Sequence, residues 1–397
     1  MPWKRSVMSQ RRDLVTLAIA EGANMSEICR RFGVSRKTAY KWVGRFKAQG
    51  PSGLADRSRR PHRSPEQTSD ATERAVLKVR QRYRVWGGRK IRWVLQREGM
   101  RGVPAPSTIT EILRRHGQLQ EEESSKHRPF QRFEHPEPND LWQMDFKGHF
   151  QHRRGQCHPL TVLDDHSRFG IALQACANER ETTVKGRLTR IFRRYGLPKR
   201  MLMDNGSPWG ADQDHPYTSF TAWLIRLGVG VVHGRAYHPQ TQGKDERFHR
   251  TLQAEVIRWH DFHDNAHCQR IFDGWLAVYN YERPHEALAM DVPGRRYRAS
   301  DRSFPERLPP IEYSPGDLVR KVQRRGRIWF QGEVYRVPGA FCGQPIAMRP
   351  TVTDGVFNVY FCNQWLGQLD ARKGRPGRRR GLNASACYAR SGVQPTP

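Results

Sequence analysis

The chain has 397 residues, with 69 Lys and Arg against 39 Asp and Glu, which gives a formal net charge of +30. Hydrophobic residues make up 37% of the chain, and this fraction excludes a wholly disordered basic protein. Because single cores seldom exceed about 250–300 residues, the length predicts several domains. No run approaches the ~18 apolar residues of a membrane span, and the N-terminal segment lacks a secretory apolar core. We therefore expect an intracellular protein without a membrane partner.

The positive surplus points to a polyanionic partner, of which nucleic acid is the commonest. Charge alone does not distinguish DNA, RNA and anionic lipid. The seven cysteines are scattered and contain no C-x-x-C pair. Their pattern argues against a disulfide framework and against a Cys-rich zinc finger, so we expect reduced thiols.

Residues 13–48 carry a helix-turn-helix pattern within a first predicted domain, residues 1–50. Gly33 permits the positive φ of the turn, and Ser35 is a favourable N-cap for the second helix. The buried face of that helix is predicted from four apolar residues at helical spacing: Ala39, Trp42, Val43 and Phe46. The opposite face supplies the predicted DNA contacts: Arg36, Lys37, Tyr40 and Lys41. An ordinary helical hairpin with a solvated basic face is the alternative.

A basic segment rich in Pro, Gly and Ser follows at residues 51–65 and predicts an extended linker. Residues 66–117 contain a second helical unit, in which Pro106 opens a helix. The apolar side of this helix is predicted from three residues: Ile109, Ile112 and Leu113. We interpret the unit as a second helix-turn-helix DNA-binding domain. Residues 118–139, with clustered Glu and Pro, predict a second linker.

Residues 140–290 show an α/β pattern. Three consecutive candidate strands precede helix, strand, helix, strand and helix, an order that predicts a mixed sheet rather than a doubly wound one. Short alternating runs at residues 313–370 predict a small all-β module, with a turn at Asp354 and Gly355. The chain has no acidic residue after Asp370. Its Arg-rich end, residues 371–397, is predicted to be a basic disordered tail.

Three carboxylates stand where a strand or a helix would direct them toward one point. Asp145 lies within the first strand of the α/β region, Asp204 at the end of a later strand, and Glu246 near the start of a helix. Taken singly, they could be a turn signal, a strand-end ion pair and an exposed helical pair. Taken together in so basic a chain, they predict ligands for two hard divalent cations that act on a phosphodiester.

Four segments carry a resemblance to a known family: LWQMDFKG, LMDNGSPW, HPQTQGKDERFHRTL and YNYERPHEAL. They resemble the catalytic core of bacterial insertion-sequence transposases of the DDE type, in the retroviral-integrase superfamily. The resemblance covers about residues 140–290, and the order of the flanking modules is also similar. The expected fold is therefore an N-terminal all-α tandem helix-turn-helix region, a central α/β ribonuclease-H-like mixed sheet and a small C-terminal β-barrel.

The resemblance implies that Asp145, Asp204 and Glu246 are the catalytic, metal-binding triad for two Mg²⁺ ions, with Mn²⁺ as a substitute. It also implies DNA cleavage at the ends of the element, followed by attack of the freed 3′-hydroxyl on target DNA. The expected partners are double-stranded DNA, as terminal inverted repeats and as target, and further copies of the chain assembled on it. The expected location is the cytoplasm, in association with the nucleoid. Further DNA contacts are expected beside the catalytic helix from Gln240, Lys244, Arg247 and Arg250.

Two other classes remain open: a non-catalytic helix-turn-helix regulator and a plain ribonuclease-H-like nuclease. The 41 residues between Asp204 and Glu246 are a handful more than is usual in the family, and Asp212 in this stretch is an alternative ligand. Structural roles are expected for seven residues that match other family motifs: Asp164, Asp165, Tyr279, Asn280, Arg283, Pro284 and His285. Two interpretations are open for His260, His263, His267 and Cys268. The three histidines have the spacing of one helical face, which could bind zinc with Cys268 or could simply be solvated.

Overall fold

The computed structural model describes residues 7–57, 68–119, 134–204, 206–210, 217–233 and 243–372, with the backbone of residues 380–381. The chain divides into two compact units, residues 1–68 and residues 69–397. The predictions for Gln240, for Asp212, for most of the basic tail and for parts of both linkers lie outside the described residues.

The described part of the first unit contains three α-helices, α1 (Val7–Ala18), α2 (Met25–Phe32) and α3 (Arg36–Gln49), and a short 3-10 helix at Gly50–Leu54. The 3-10 helix lies where the predicted linker begins, and it buries Leu54 in the core of the unit. Gly33 ends α2 with a φ of +61°, and the Ser35 hydroxyl caps α3 by accepting a hydrogen bond from the Thr38 amide. Three of the four predicted core residues of α3 are buried, and Phe46 packs against them. The side chains of Arg36, Lys37, Tyr40 and Lys41 are exposed. The predicted helix-turn-helix is therefore confirmed.

The second helical unit contains α4 (Asp70–Arg82), α5 (Gly88–Arg97) and α6 (Pro106–Arg115). The three predicted core residues of α6 are fully buried, as expected. These helices belong to the same compact unit as the α/β region that follows. The fold therefore joins them to that region rather than leaving them as a separate body.

Helices α5 and α6 cross closely at Gly88. A Cβ atom at this position would lie 2.2 Å from the Pro106 carbonyl oxygen and 2.9 Å from Thr110 Oγ1. We expect Gly88→Ala to destabilise the larger unit by roughly 1–3 kcal/mol, because backbone atoms would have to move. Differential scanning calorimetry of the full chain measures the effect. Gly186→Ala is the matched control, since its added Cβ meets no atom within 4 Å and alanine favours the helix by roughly 0.5–1 kcal/mol. An unshifted or raised melting temperature for Gly88→Ala would contradict the close crossing.

The α/β region follows the predicted order, with one additional short strand and one additional helix. Its elements are β1 (Leu141–Phe146), β2 (Phe150–His152), β3 (Gly155–Asp164), β4 (Gly170–Cys176), α7 (Glu181–Tyr195), β5 (Arg200–Met203), α8 (Ser219–Arg226), β6 (Gly230–His233), α9 (Gly243–Glu255) and α10 (Asn265–Tyr281). The additional elements are β2 and α10. The sheet order is β2-β3-β1-β5-β6, and β4 also pairs with β3. Strand β1 is antiparallel to β3 and parallel to β5, and β5 is parallel to β6. The predicted mixed sheet is confirmed.

Helices cover both faces of this sheet. Apolar residues of α7 and α8 pack with Trp142 and Met144 of β1 on one face. Apolar residues of α9 and α10 pack with Leu163 of β3 and Leu173 of β4 on the other. Since successive strand residues point to opposite faces, Asp145 points toward the face that α9 covers. This alternation brings the Asp145 carboxylate of β1 to the side of the sheet on which α9 lies.

The C-terminal module is built from short strands: β7 (Leu318–Lys321), β8 (Arg327–Phe330), β9 (Glu333–Arg336), β10 (Pro345–Pro350), β11 (Val356–Phe361), β12 (Gln364–Asp370) and β13 (Arg380–Gly381). They form two small sheets, ordered β12-β11-β10-β7 and β13-β9-β8. Apolar side chains from both sheets share one core, which includes Phe330, Ile346 and Phe361. The expected small β module is confirmed. Among the described residues, no helix combines the length and the apolar character that a bilayer crossing requires.

Candidate active site

The first carboxylate, Asp145, lies near the end of β1. One of its oxygens, Oδ1, accepts a hydrogen bond from the Phe146 amide (2.8 Å). In the antiparallel pair of β1 and β3, Asp145 stands directly opposite Thr161. The sheet therefore fixes the position of Asp145 along the strand and the face of the sheet to which its side chain points.

The second carboxylate, Asp204, directly follows β5, the parallel neighbour of β1. Gln143 pairs with Leu202 in this register, so two further residues along each strand place Asp145 beside Asp204. The Asp204 side chain accepts a hydrogen bond from the Gly206 amide (2.9 Å). Nδ1 of His233 donates to the Asp204 carbonyl oxygen (2.9 Å), which ties the end of β5 to β6.

The third predicted carboxylate, Glu246, lies in the first turns of α9 and is exposed. Phe248 and Leu252 on the opposite side of the helix are buried, as their spacing predicts. Glu246 therefore reaches solvent at the N-terminal end of the helix that covers Asp145.

The three carboxylates share one electrostatic field. Burial, together with the nearby charges of Asp204, Glu179 and Glu246, raises the pKa of Asp145 to about 7. Negative charges that oppose one another in this way favour a cation between them, and carboxylate oxygens are the ligands that hard divalent ions take. The donor set therefore fits Mg²⁺ or Mn²⁺ at Asp145, Asp204 and Glu246.

A fourth acid, Asp245, was missed in the sequence. Its side chain is 2% exposed, and burial raises its pKa well above the ordinary value. His249 lies one turn further along α9, with its Nε2 atom 3.7 Å from Asp245 Oδ1, and burial lowers its pKa to about 4. The i, i+4 spacing of the two residues in HPQTQGKDERFHRTL was the available signal, because it places both on the inner face of α9.

Asp145, Asp245 and His249 place their ligand atoms within 4.8 Å of one another. Across the described ranges, this is the single group of three or more His, Cys, Asp or Glu side chains that close together. Asp204 and Glu246 are not members of this group, although both act on the pKa of Asp145.

Lys244, expected to contact DNA, is turned into the protein. Its Nζ atom lies 2.5 Å from Asp165 Oδ1 and donates to the Asp165 carbonyl oxygen (3.0 Å). The side chain is 12% exposed, and burial lowers its pKa to about 8. Arg247 and Arg250 are exposed on the same helix. The structure therefore separates Lys244, which holds the start of α9, from the two arginines that face solvent.

Asp164 and Asp165 have the structural roles expected of them. The Asp164 carboxylate accepts hydrogen bonds from the amides of Asn139 (2.7 Å) and Ser167 (2.8 Å). The Asp165 carboxylate accepts from the His135 amide (2.9 Å) in addition to its ion pair. Both acids fix the segments that lead into and out of the sheet.

The motif YNYERPHEAL, which follows α9, also braces the core. The Asn280 side chain accepts from the Gly170 amide (2.8 Å) and donates to the Gly170 carbonyl oxygen (2.9 Å). Arg283 forms an ion pair with Glu255 at 2.9 Å. The first tyrosine of the motif, Tyr279, is buried in the same apolar cluster as α9. These contacts tie α10 to the sheet and to α9, as expected.

The histidines after α9 do not share a helical face, so the prediction that His260, His263 and His267 lie on one side of a helix is wrong. The backbone at His260 is extended, and α10 begins only at Asn265, after Asp264 has capped it by accepting from the His267 amide (2.8 Å). His260 instead donates from Nδ1 to the Val256 carbonyl oxygen (2.9 Å). Among the described residues, the histidines here do not form a metal-binding group.

Comparison with known protein families agrees with this architecture. Residues 135–239 and 227–293 match two models of the integrase core domain, and residues 317–377 match the C-terminal domain of the IS481 family transposases. Residues 10–62 match a helix-turn-helix domain, and residues 38–113 match a homeodomain-like domain. The mixed sheet and its carboxylates thus define an integrase-core protein.

Among integrase-core proteins, the chain is similar to proteins of bacterial insertion elements. The chain is 39% identical over 149 residues to an uncharacterized protein of insertion element IS136 from Agrobacterium fabrum, covering 35% of this chain and 72% of that protein. A 31.7 kDa protein of IS407 from Burkholderia multivorans is 28% identical over 153 residues, or 38% of this chain and 52% of that protein. The chain belongs to the bacterial insertion-sequence transposases with an integrase-like core.

The chain spans about half the length of the IS407 protein and of a 39.2 kDa IS476 protein from Xanthomonas euvesicatoria (52% and 46%). A chain of the simian T-cell lymphotropic virus intasome, solved in complex with a PP2A regulatory subunit, is 16% identical. The alignment covers 73% of this chain and 97% of that chain, with a TM-score of 0.36.

Proposed function

We propose that this protein is a DNA transposase that binds the ends of its element and cleaves them in a metal-dependent reaction. The freed 3′-hydroxyl then attacks a phosphodiester of target DNA, so that the 3′ end of the element is joined to the target and a target 3′-hydroxyl is released. The observation that supports the proposal is the arrangement of three acids: Asp145 near the end of β1, Asp204 directly after β5 and Glu246 in the first turns of α9, with the charges of Asp204 and Glu246 both acting on Asp145. The adjacent strands β1 and β5 supply two of these acids and α9 supplies the third.

Asp145, Asp204 and Glu246 would hold two Mg²⁺ ions, with Mn²⁺ as a substitute. When bound, such ions activate the attacking oxygen and neutralise charge that develops on the leaving oxygen. The protein supplies the arrangement of the acids: strand pairing fixes Asp145 against Asp204, and the anchored start of α9 presents Glu246 to solvent. Arg247 and Arg250, exposed on α9, would hold the DNA backbone beside them.

DNA recognition would lie mainly in the first unit. Arg36, Lys37, Tyr40 and Lys41 occupy the exposed side of α3 near its N-terminal end, where a recognition helix contacts base edges and phosphates. Double-stranded terminal repeats and target DNA are the proposed substrates. Two ends must meet for transposition, so we also propose a homo-oligomer assembled on DNA, in the cytoplasm and associated with the nucleoid.

The recognition helix makes a testable contribution to end binding. We expect the double variant Arg36→Ala/Lys41→Ala to weaken binding of end DNA at least about tenfold at moderate salt, since each lost phosphate contact reduces the log–log salt slope by about 0.9. Fluorescence anisotropy over a salt series gives both quantities. Arg12→Ala/Lys47→Ala removes the same charge from α1 and from the last turn of α3 and serves as the control. Equal losses from both double variants would exclude α3 as the reading helix.

The reaction is tested with the full chain and labelled element-end DNA, whose sequence is first found by selecting bound DNA on the purified protein. The labelled end is incubated with Mg²⁺ and a target plasmid. Joined products support the proposal. Cleavage without joining would indicate a plain nuclease, and binding without cleavage would indicate a non-catalytic regulator.

A further inference from the structure

The hydroxyl of Thr161 lies at the centre of a polar contact group beneath the candidate site. Its Oγ1 atom is 2.9 Å from the Asp145 carbonyl oxygen, 2.8 Å from His249 Nε2, and 3.1 Å from Asp245 Oδ1. A hydroxyl donates one hydrogen bond and accepts up to two. Thr161 can therefore serve β1 and α9 at the same time.

These contacts connect the two elements that carry different members of the carboxylate triad. Thr161 stands opposite Asp145 on the neighbouring strand. Asp245 and His249 lie on the inner face of α9, and Asp245 is the immediate neighbour of Glu246. The position of Glu246 relative to Asp145 therefore depends on how α9 is seated on Thr161.

Apolar packing alone does not define the rotation and the position of α9 on the sheet. Phe248 and Leu252 hold α9 against the sheet, but apolar contacts are non-directional. Hydrogen bonds have preferred distances and angles, so the Thr161 contacts fix the rotation and the height of the helix. Lys244, paired with Asp165, holds the backbone two residues before Glu246. His249, in contact with Thr161, holds it three residues after. Glu246 is thus carried by a backbone segment that is anchored on both sides.

We propose that Thr161, with Asp245 and His249, positions Glu246 against Asp145 and thereby sets the affinity of the site for its divalent metal. In this proposal Thr161, Asp245 and His249 do not bind the metal themselves. The proposal rests on the proposed function only in taking Asp145, Asp204 and Glu246 as the metal ligands. A bound ion held by Asp145, Asp245 and His249 is the competing explanation of their proximity.

The test compares Thr161→Val, which removes the hydroxyl at nearly constant shape, with Thr161→Ser, which restores it. Mn²⁺ binding to the full-length protein without DNA is measured by calorimetry, and the metal concentration for half-maximal end cleavage is measured separately. We expect Thr161→Val to weaken Mn²⁺ binding and to raise the required metal concentration by about 10–100-fold. Thr161→Ser should stay close to wild type. Thr189→Val, which removes a hydroxyl bonded to the Lys185 carbonyl oxygen on α7, is the control and should change neither quantity.

The variant His249→Gln distinguishes positioning of Glu246 from direct metal binding by His249. It also provides a test if Thr161→Val does not fold. Positioning predicts weaker Mn²⁺ binding in both variants, with an unchanged number of bound ions. A metal bound by His249 predicts loss of one ion in His249→Gln and near-normal binding in Thr161→Val, and this result would overturn the proposal. Unchanged Mn²⁺ affinity in both folded variants would overturn it as well. Absence of DNA cleavage by wild type, with Mn²⁺ binding retained, would count against the proposed function and not against the positioning role.

Discussion

Asp204→Asn is expected to reduce end cleavage and joining at least about a thousandfold while leaving end binding nearly unchanged. A metal ligand contributes several kcal/mol to stabilising charge in the transition state, and each 1.36 kcal/mol is about tenfold in rate. Asn keeps an oxygen that can accept the hydrogen bond from the Gly206 amide, so the turn should survive. Single-turnover cleavage and anisotropy on the same protein preparation measure the two effects.

Asp273→Asn makes the same chemical change at an exposed position of α10 and is the matched control. It should leave both cleavage and end binding at the wild-type level. A loss of end binding by Asp204→Asn as large as its loss of cleavage would identify Asp204 as a structural residue of the turn.

Glu255→Gln is expected to destabilise the larger unit by about 3–5 kcal/mol, because it leaves a buried guanidinium without its counter-charge. Glu255 accepts hydrogen bonds from Trp86 Nε1 (3.1 Å), Trp275 Nε1 (2.9 Å) and Arg283 Nε (2.9 Å). The Glu255 and Arg283 side chains are only 9% and 11% exposed. One carboxylate at the end of α9 therefore ties the second helical unit and α10 to this helix.

Calorimetry of the full chain should show the transition of the larger unit lowered by several degrees, on the order of 5–10 °C for a loss of this size. Glu111→Gln is the control, because Glu111 is exposed and its ion pair is with Arg114, one turn away on α6. Such surface pairs contribute roughly 0–1 kcal/mol. An unshifted transition in Glu255→Gln would show that the second helical unit does not depend on this carboxylate.

Local patterns predicted much of the fold. The recognition helix, the apolar face of α6 and the strand order of the mixed sheet all follow from short-range periodicity and capping residues. Asp145 and Asp204 could be proposed together because one lies within a strand and the other ends one. Parallel neighbours then place such residues side by side.

Features that depend on distant partners were not predicted. Thr161 and His249 are 88 residues apart, Lys244 and Asp165 are 79 apart, and Trp86 and Glu255 are 169 apart. Their contacts depend on strand register and helix seating, which the sequence alone does not specify. Lys244, predicted to contact DNA, pairs with Asp165 for this reason, and Trp86 joins the second helical unit to Glu255 of α9. The histidine expectation failed for a local reason, because Asp264 starts a new helix where one continuous helix was assumed.

The central proposal is that Asp145, Asp204 and Glu246 support the joining of a DNA 3′ end to target DNA. It is tested most directly with a pre-cut element end and a supercoiled target plasmid. One substrate ends in a free 3′-hydroxyl, and an otherwise identical substrate ends in a dideoxynucleotide. With Mg²⁺, we expect the wild-type protein to join the first substrate to the plasmid and to leave the second unjoined, although both bind equally. Failure to join the hydroxyl-terminated end, with DNA bound and Mg²⁺ present, would contradict the proposed strand transfer.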